Sequence, residues 1–228
     1  MVVNAPSLAN IDLLEFGEKV QELYEAGIRF FHIDIMDGHY VSNLCFPTTV
    51  VRSLRQRYPD VELEVHLMVS EPRSYISQLK EYGADRVAFH LDATSFSRRL
   101  LTEIKEAGMK AGVVINPSQP IGNLSPLQDY LDYVVFMSVE PGFAGQKFLP
   151  GSMERLRELA RLRQDGGHGF DIIVDGGVNY DIAEDVVRSG ADIIVTNIYM
   201  VFNQPEGIAG ACQRFRETLG AVKRDSVL

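Results

Sequence analysis

Four stretches of the chain share one order of residues, a helical run ending in glycine followed at once by an apolar, β-rich run. They are EAGIRFFHIDI, EYGADRVAFHL, EAGMKAGVVIN and RSGADIIVTNI. Gly27, Gly83, Gly108 and Gly190 fit helix C-caps that turn the chain into strands. Their intervals fall at two, one and three multiples of roughly 27 residues, the size of one strand plus one helix. Eight such units nearly exhaust the 228 residues. The apolar runs predict strands at 2–5, 30–35, 63–68, 86–90, 110–115, 133–137, 172–175 and 193–197. Most of these runs lack strict alternation, which marks burial on both faces, as in a parallel sheet covered by helices. Helical patterns fill most intervals and no low-complexity linker interrupts them. The pattern therefore predicts one α/β domain over residues 1–228, a (β/α)8 TIM barrel. The rival architecture, a doubly wound open sheet, would carry G-x-G-x-x-G after its first strand, and this chain has none.

In such a barrel the chemistry sits at the carboxyl ends of the strands. The second predicted strand ends in HIDIMDG, which puts His32 and Asp34 at i and i+2 on one face. The third ends in EVHLM and adds His66, and the seventh ends in IVDGGV and adds Asp175. One histidine at a strand end is equally a hydrogen-bonded core residue. Two imidazoles and two carboxylates that topology brings to one mouth are a ligand set for a divalent transition metal. Met36, Met68 and Met137 end three strands and would give a polarizable apolar surface there, though each alone also fits ordinary core packing. His90 ends the fourth strand and is read as a non-ligand, while His39 and His168 fall in loops and are expected to be solvated. Residues 139–148, VEPGFAGQKF, form a glycine-punctuated loop long enough to close over a ligand. Gly176 and Gly177 follow the seventh strand, where backbone N–H groups cradle phosphate in barrels of this kind.

Charge and composition narrow the partners. Lys and Arg total 22 against 31 Asp and Glu, a net charge of −9, so no basic surface is implied and nucleic acid is excluded as an expected partner. No apolar stretch approaches the roughly 20 residues of a membrane span. The N-terminus MVVNAPSLANID lacks the basic start and apolar core of a signal peptide, so the expectation is a cytoplasmic protein. Cys45 and Cys212 lie far apart in no metal-type spacing, which leaves two reduced thiols as the expectation.

Across nearly its whole length the chain resembles the ribulose-phosphate 3-epimerases. The likeness runs through PSLANIDLLEFG, FHIDIMDGHYVSN, HLMVSEP, MSVEPGFAGQKF and VDGGVN. The resemblance implies a TIM-barrel isomerase of carbohydrate metabolism that epimerises a ketose phosphate at C3. It implies one divalent metal ion per chain, zinc foremost and iron, manganese or cobalt otherwise, held by His32, Asp34, His66 and Asp175. Asp34 and Asp175 would also be the acid and base, flanking the carbon on opposite sides, with the metal stabilising an enediolate. Substrate would meet Ser7, His66, Met36, Met68 and Met137, the flexible loop Gly142, Phe143, Ala144 and Gly145, and the phosphate turn Gly176 and Gly177. A homo-oligomer, dimer or hexamer, is implied as well. PSLxxxDLL and FHIDIMDGH look like the allulose-6-phosphate branch, and VDGGVN like the ribulose-5-phosphate branch.

Two positions depart from the family pattern. Ser42 stands where many members have proline, and Thr196, Asn197, Ile198 and Tyr199, followed by what looks like one extra residue before Phe202, stand where the family has a Gly-Ser type turn. Ile198 has no hydroxyl to offer phosphate, so Thr196 or Asn197 is expected to be the substitute donor. A barrel decarboxylase or aldolase would want a lysine at a strand's carboxyl end, whereas Lys110 begins its strand. A non-catalytic sugar-phosphate-binding barrel fits the altered turn but not the presence of both aspartates.

Overall fold

A computed structural model describes residues 1–167 and 169–224, so the expectation for His168 lies outside the described residues. Eight parallel strands run in the order the sequence predicts: β1 (Val3–Pro6), β2 (Phe30–Asp37), β4 (Glu62–Met68), β5 (Arg86–His90), β6 (Lys110–Ile115), β7 (Tyr133–Met137), β8 (Asp171–Asp175) and β9 (Ile193–Thr196). With β3 at Leu44–Cys45, the sheet order is β1-β9-β8-β7-β6-β5-β4-β2-β3, and a parallel bridge from Ser7 to His32 brings β1 back against β2, curling the sheet into a TIM barrel. The two-residue β3 (Leu44–Cys45), which the sequence pattern does not announce, turns back antiparallel on Met36 and Asp37.

Strand parity divides the residues into two cores. Register pairs His66 with Ala88, Ala88 with Gly112 and Gly112 with Tyr133, so one set of alternate positions points into the barrel. Ala5, Phe30, Ala88, Val114, Tyr133 and Ile173 fill that interior. The other set, among them Ile33, Val65, Val113 and Val174, meets the helix faces carrying Leu23, Leu79, Leu101 and Leu159. Both faces are buried, which explains why most strand runs show no alternation. Three aspartates just before strands stitch neighbours together: Asp85 accepts from the Leu63 N–H at 2.7 Å, Asp132 from Ala111 at 2.8 Å and Asp192 from Ile172 at 2.8 Å. Between β6 and β7 the expected helix is instead a 3-10 segment, Ile121–Tyr130, because Pro126 inside it removes a donor and blocks an α-helical turn.

The amino end of the barrel is plugged. Arg86 reaches Glu62 at 2.5 Å and Asp171 at 2.9 Å, and its guanidinium lies over the Phe30 and Tyr133 rings. The carboxyl end is left for chemistry.

Candidate active site

Four side chains meet at the carboxyl end. His32 Nε2 lies 3.2 Å from Asp34 Oδ1 and 3.5 Å from Asp175 Oδ2. His66 Nδ1 lies 3.3 Å and 3.5 Å from the same two oxygens. One ligand-type atom from each residue falls within 4.8 Å of every other. Register explains the convergence: Asp34 pairs with His66 across β2 and β4, and Asp175 arrives on β8, opposite them in the barrel wall. Both histidines are fully buried and Asp34 nearly so.

The surroundings orient these side chains. Ser7 donates its hydroxyl to Asp34 Oδ2 at 2.7 Å, leaving Oδ1 to face the centre. His66 Nε2 lies 2.9 Å from His90 Nε2, so with Nδ1 turned to the centre the Nε2–H donates to His90. Burial and the neighbouring His66 push His90 well below the ordinary imidazole range, which keeps it a neutral acceptor. Beyond it, the Tyr40 ring stacks on His90 and Asn116 donates to the Tyr40 hydroxyl at 2.8 Å. In the metal-free protein burial disfavours charge on His66, but Asp175 and Asp34 outweigh it and raise the imidazole to about 9. His32 is likewise raised well above its ordinary value, Glu64 and Asp34 overcoming burial. Asp34, for which burial acts the other way, is held far down by the His32 and His66 imidazoles.

A divalent ion fits this donor set. His66 Nδ1 is buried and has no hydrogen-bond partner. The two imidazole nitrogens and two carboxylate oxygens are the mixed nitrogen and oxygen set that first-row divalent ions take.

Over the centre lies a cavity of about 70 Å³ lined by Ser7, Asp34, His66, Asp175, the thioether residues Met36, Met68 and Met137, and the loop after β7. Gly142, Phe143, Ala144, Gly145, Gly176, Gly177 and Asn197 complete the wall. The loop is strapped down on two sides: Asn43 Nδ2 donates to the Gly142 carbonyl at 2.8 Å and the Tyr199 hydroxyl to the Gly145 carbonyl at 2.6 Å. Gly177 shows how tightly it sits, since its φ is +65° and a Cβ there would come within 2.2 Å of the Phe148 nitrogen.

One predicted contact is corrected. Thr196 is fully buried and its hydroxyl donates to Asn4 Oδ1 at 2.6 Å, away from the cavity, because the strand parity that turns Asn197 inward turns Thr196 outward. Asn197 does reach the wall, but its Oδ1 accepts from the Tyr199 N–H at 2.8 Å and caps a π-helical turn, Ile198–Phe202, that absorbs the extra residue of this segment. His39 is exposed, as expected. Sequence reasoning passed over Glu64, a fully buried carboxylate beneath the site, although its place two residues before His66 already gave it an inward position.

The sequence model of the Ribulose-phosphate 3 epimerase family matches residues 3–201. The chain belongs to that family. It is 38% identical over 196 residues to "Ribulose-phosphate 3-epimerase" of Bacillus subtilis (strain 168), covering 86% of this chain and 90% of the relative. It is 37% identical over 202 residues to the protein of that name from Escherichia coli (strain K12), covering 89% of each. As a member of this epimerase family it is an isomerase. The fold recurs in solved TIM-barrel enzymes: KGPDC from Streptococcus mutans superposes with a TM-score of 0.74 at 12% identity over 97% of this chain and 98% of that one. The 3-hexulose-6-phosphate synthase from Salmonella typhimurium gives 0.72 at 16% identity over 96% and 98%. Among the described residues no helix is long and apolar enough to cross a membrane.

Proposed function

We propose that the chain interconverts D-ribulose 5-phosphate and D-xylulose 5-phosphate by proton transfer at C3. The observation that carries the reading is the approach of Asp34 and Asp175 to one point from opposite walls of the barrel, each within 3.5 Å of both site imidazoles. Epimerisation beside a carbonyl needs one group to take the C3 proton and another to return one on the opposite face. Of the two, one would take the C3 proton as a carboxylate and the other, starting protonated, would return its own proton to the opposite face, with Ser7 fixing Oδ2 of Asp34. His32, Asp34, His66 and Asp175 would hold a divalent ion, zinc by preference, and that ion when bound supplies positive charge against the negative charge that builds on the ketose oxygens. Met36, Met68 and Met137 offer the reacting carbons an apolar wall free of competing proton donors, and the loop over them excludes water. Phosphate would sit at the Gly176 and Gly177 turn.

Proton NMR in D₂O tests this directly. With D-ribulose 5-phosphate the C3 hydrogen should exchange for deuterium as the xylulose isomer grows in. No washout into either D-ribulose 5-phosphate or D-allulose 6-phosphate would overturn the two-aspartate mechanism. Faster turnover of the allulose ester would keep the mechanism and move the substrate to the hexulose branch that FHIDIMDGH resembles.

A further inference from the structure

Beneath the four ligand-type residues lies a second buried carboxylate that the proton transfer does not use. Glu64 is fully buried inside the barrel, on the inward parity of β4 two residues before His66. Its Oε2 lies 2.5 Å from His32 Nδ1 as an ion-pair contact, and neither atom makes a hydrogen bond of regular geometry. Its Oε1 accepts from the Tyr133 hydroxyl at 3.3 Å. Room for that tyrosine comes from Gly112 on the neighbouring strand, where a Cβ would fall 2.5 Å from the ring. A carboxylate in a closed barrel interior is costly unless charge or hydrogen bonds meet it. Glu64 meets a tyrosine hydroxyl and the far nitrogen of one ligand histidine.

We infer that Glu64 is the positioning residue for His32: it holds the Nδ1–H, so that the Nε2 lone pair points at the metal centre. An imidazole carries one proton when neutral, and which nitrogen is free to ligate is decided by what the other one meets. His66 is set by a neutral partner, His90, and His32 by a charged one. Glu64 sets a carboxyl oxygen against Nδ1 of His32 as His90 sets a ring nitrogen against Nε2 of His66, so each ring turns its remaining nitrogen to the centre. Tyr133 in turn fixes the carboxylate, so the support runs from Gly112 through Tyr133 and Glu64 to His32.

The inference rests on the metal reading of the site and is tested without any sugar, so a failure of the substrate assignment leaves it standing. Chelator-stripped wild type, Glu64→Gln, Glu64→Asp and Tyr133→Phe are titrated with zinc against a chromophoric competitor, with folding followed by circular dichroism. Loss of an outer partner of a ligating histidine costs about 10- to 100-fold in metal affinity, the fall expected for Glu64→Gln. Glu64→Asp keeps the charge but withdraws it by one methylene, so it should lose affinity too, and Tyr133→Phe should lose less than either. Should Glu64→Gln fail to fold, the other two variants decide the matter. In the cobalt-substituted protein a paramagnetically shifted, slowly exchanging His32 Nδ1–H resonance should be present in wild type and absent or fast-exchanging in Glu64→Gln. Folded variants that all bind zinc within threefold of wild type, or an unchanged cobalt spectrum, would overturn the assignment. A wild-type chain that binds no zinc would remove the metal reading and this inference with it.

Discussion

Loading the site with metal should release about two protons per ion near pH 7. The metal-free centre is a small cluster of two imidazoles and two carboxylates with the rings protonated: His66 is raised to about 9 and His32 well above its ordinary value, while Asp34 stays ionised. A divalent ion needs the lone pairs of His32 Nε2 and His66 Nδ1, so each ring must give up one proton on binding. The sign follows from competition: a raised imidazole pKa favours the protonated, metal-free form, so lowering the pH weakens metal binding. Two displaced protons make the apparent affinity climb about 100-fold per pH unit between roughly pH 6.5 and 8, or about 2.7 kcal/mol per unit, and flatten as the pH passes about 9. The same shift acts on the metal-free fold in the opposite sense. The favourable charge on His66 contributes in full below its ordinary 6.5 and is lost as the pH rises through about 9, a term of about 3 kcal/mol. Stripped protein should therefore lose thermal stability across that window while zinc-loaded protein does not. Calorimetric zinc titration in buffers of different ionisation enthalpy counts the protons. Release of fewer than one proton per ion, or an affinity indifferent to pH, would refute the protonated resting centre.

Replacing either Asp34 or Asp175 by Asn should lower epimerisation by about 10² to 10⁴, since a carboxamide can neither take nor return the C3 proton; a variant keeping more than about a tenth of wild-type turnover would exclude that residue. Tyr199→Phe removes the 2.6 Å strap on the Gly145 carbonyl, worth about 1 kcal/mol, so amide exchange in the loop after β7 should quicken about fivefold with the global melting temperature little changed. Asn197→Ala should appear as lost stability of about 0.5–2 kcal/mol, measured by urea unfolding, with KM for the phosphorylated ketose nearly unchanged, because its side chain already caps the turn after β9.

The barrel was legible because each unit repeats the same signals, a glycine exit from a helix and an apolar run buried on both faces. The site was legible for a related reason: alternation along a strand, applied to HIDIMDG, EVHLM and IVDGG, is enough to point four ligand-type side chains the same way. The same alternation, carried one strand further, also assigns Thr196 outward, and attention to the missing Ser hydroxyl obscured it. Glu64 escaped notice because a glutamate inside a strand reads as a polar, solvated position until the register of β2 on β4 places His32 beside it. The π-helical turn after β9 and the pairing of Leu44 with Asp37 depend on tertiary fit, the first on fitting one residue too many between a strand and a helix, the second on two hydrogen-bonded residues too few to leave a pattern.

The seam between the first and last strands sets the order in which the site comes into being. Val3 through Pro6 pair with Ile193 through Thr196, and the hydrogen bond from Thr196 to Asn4 joins residues 192 apart. As a ribosome delivers the chain from its amino end, His32, Asp34 and His66 are made early, yet β1 waits unpaired on that side until β9 has followed. Asp175 arrives only one strand before the closing one, so until then the nascent chain presents three of the four ligand-type side chains, on a sheet still open to solvent. Such a long-range closure is a slow step by the entropy of bringing distant segments together. A complete four-residue setting for an ion thus exists only once the last strand has sealed the wall.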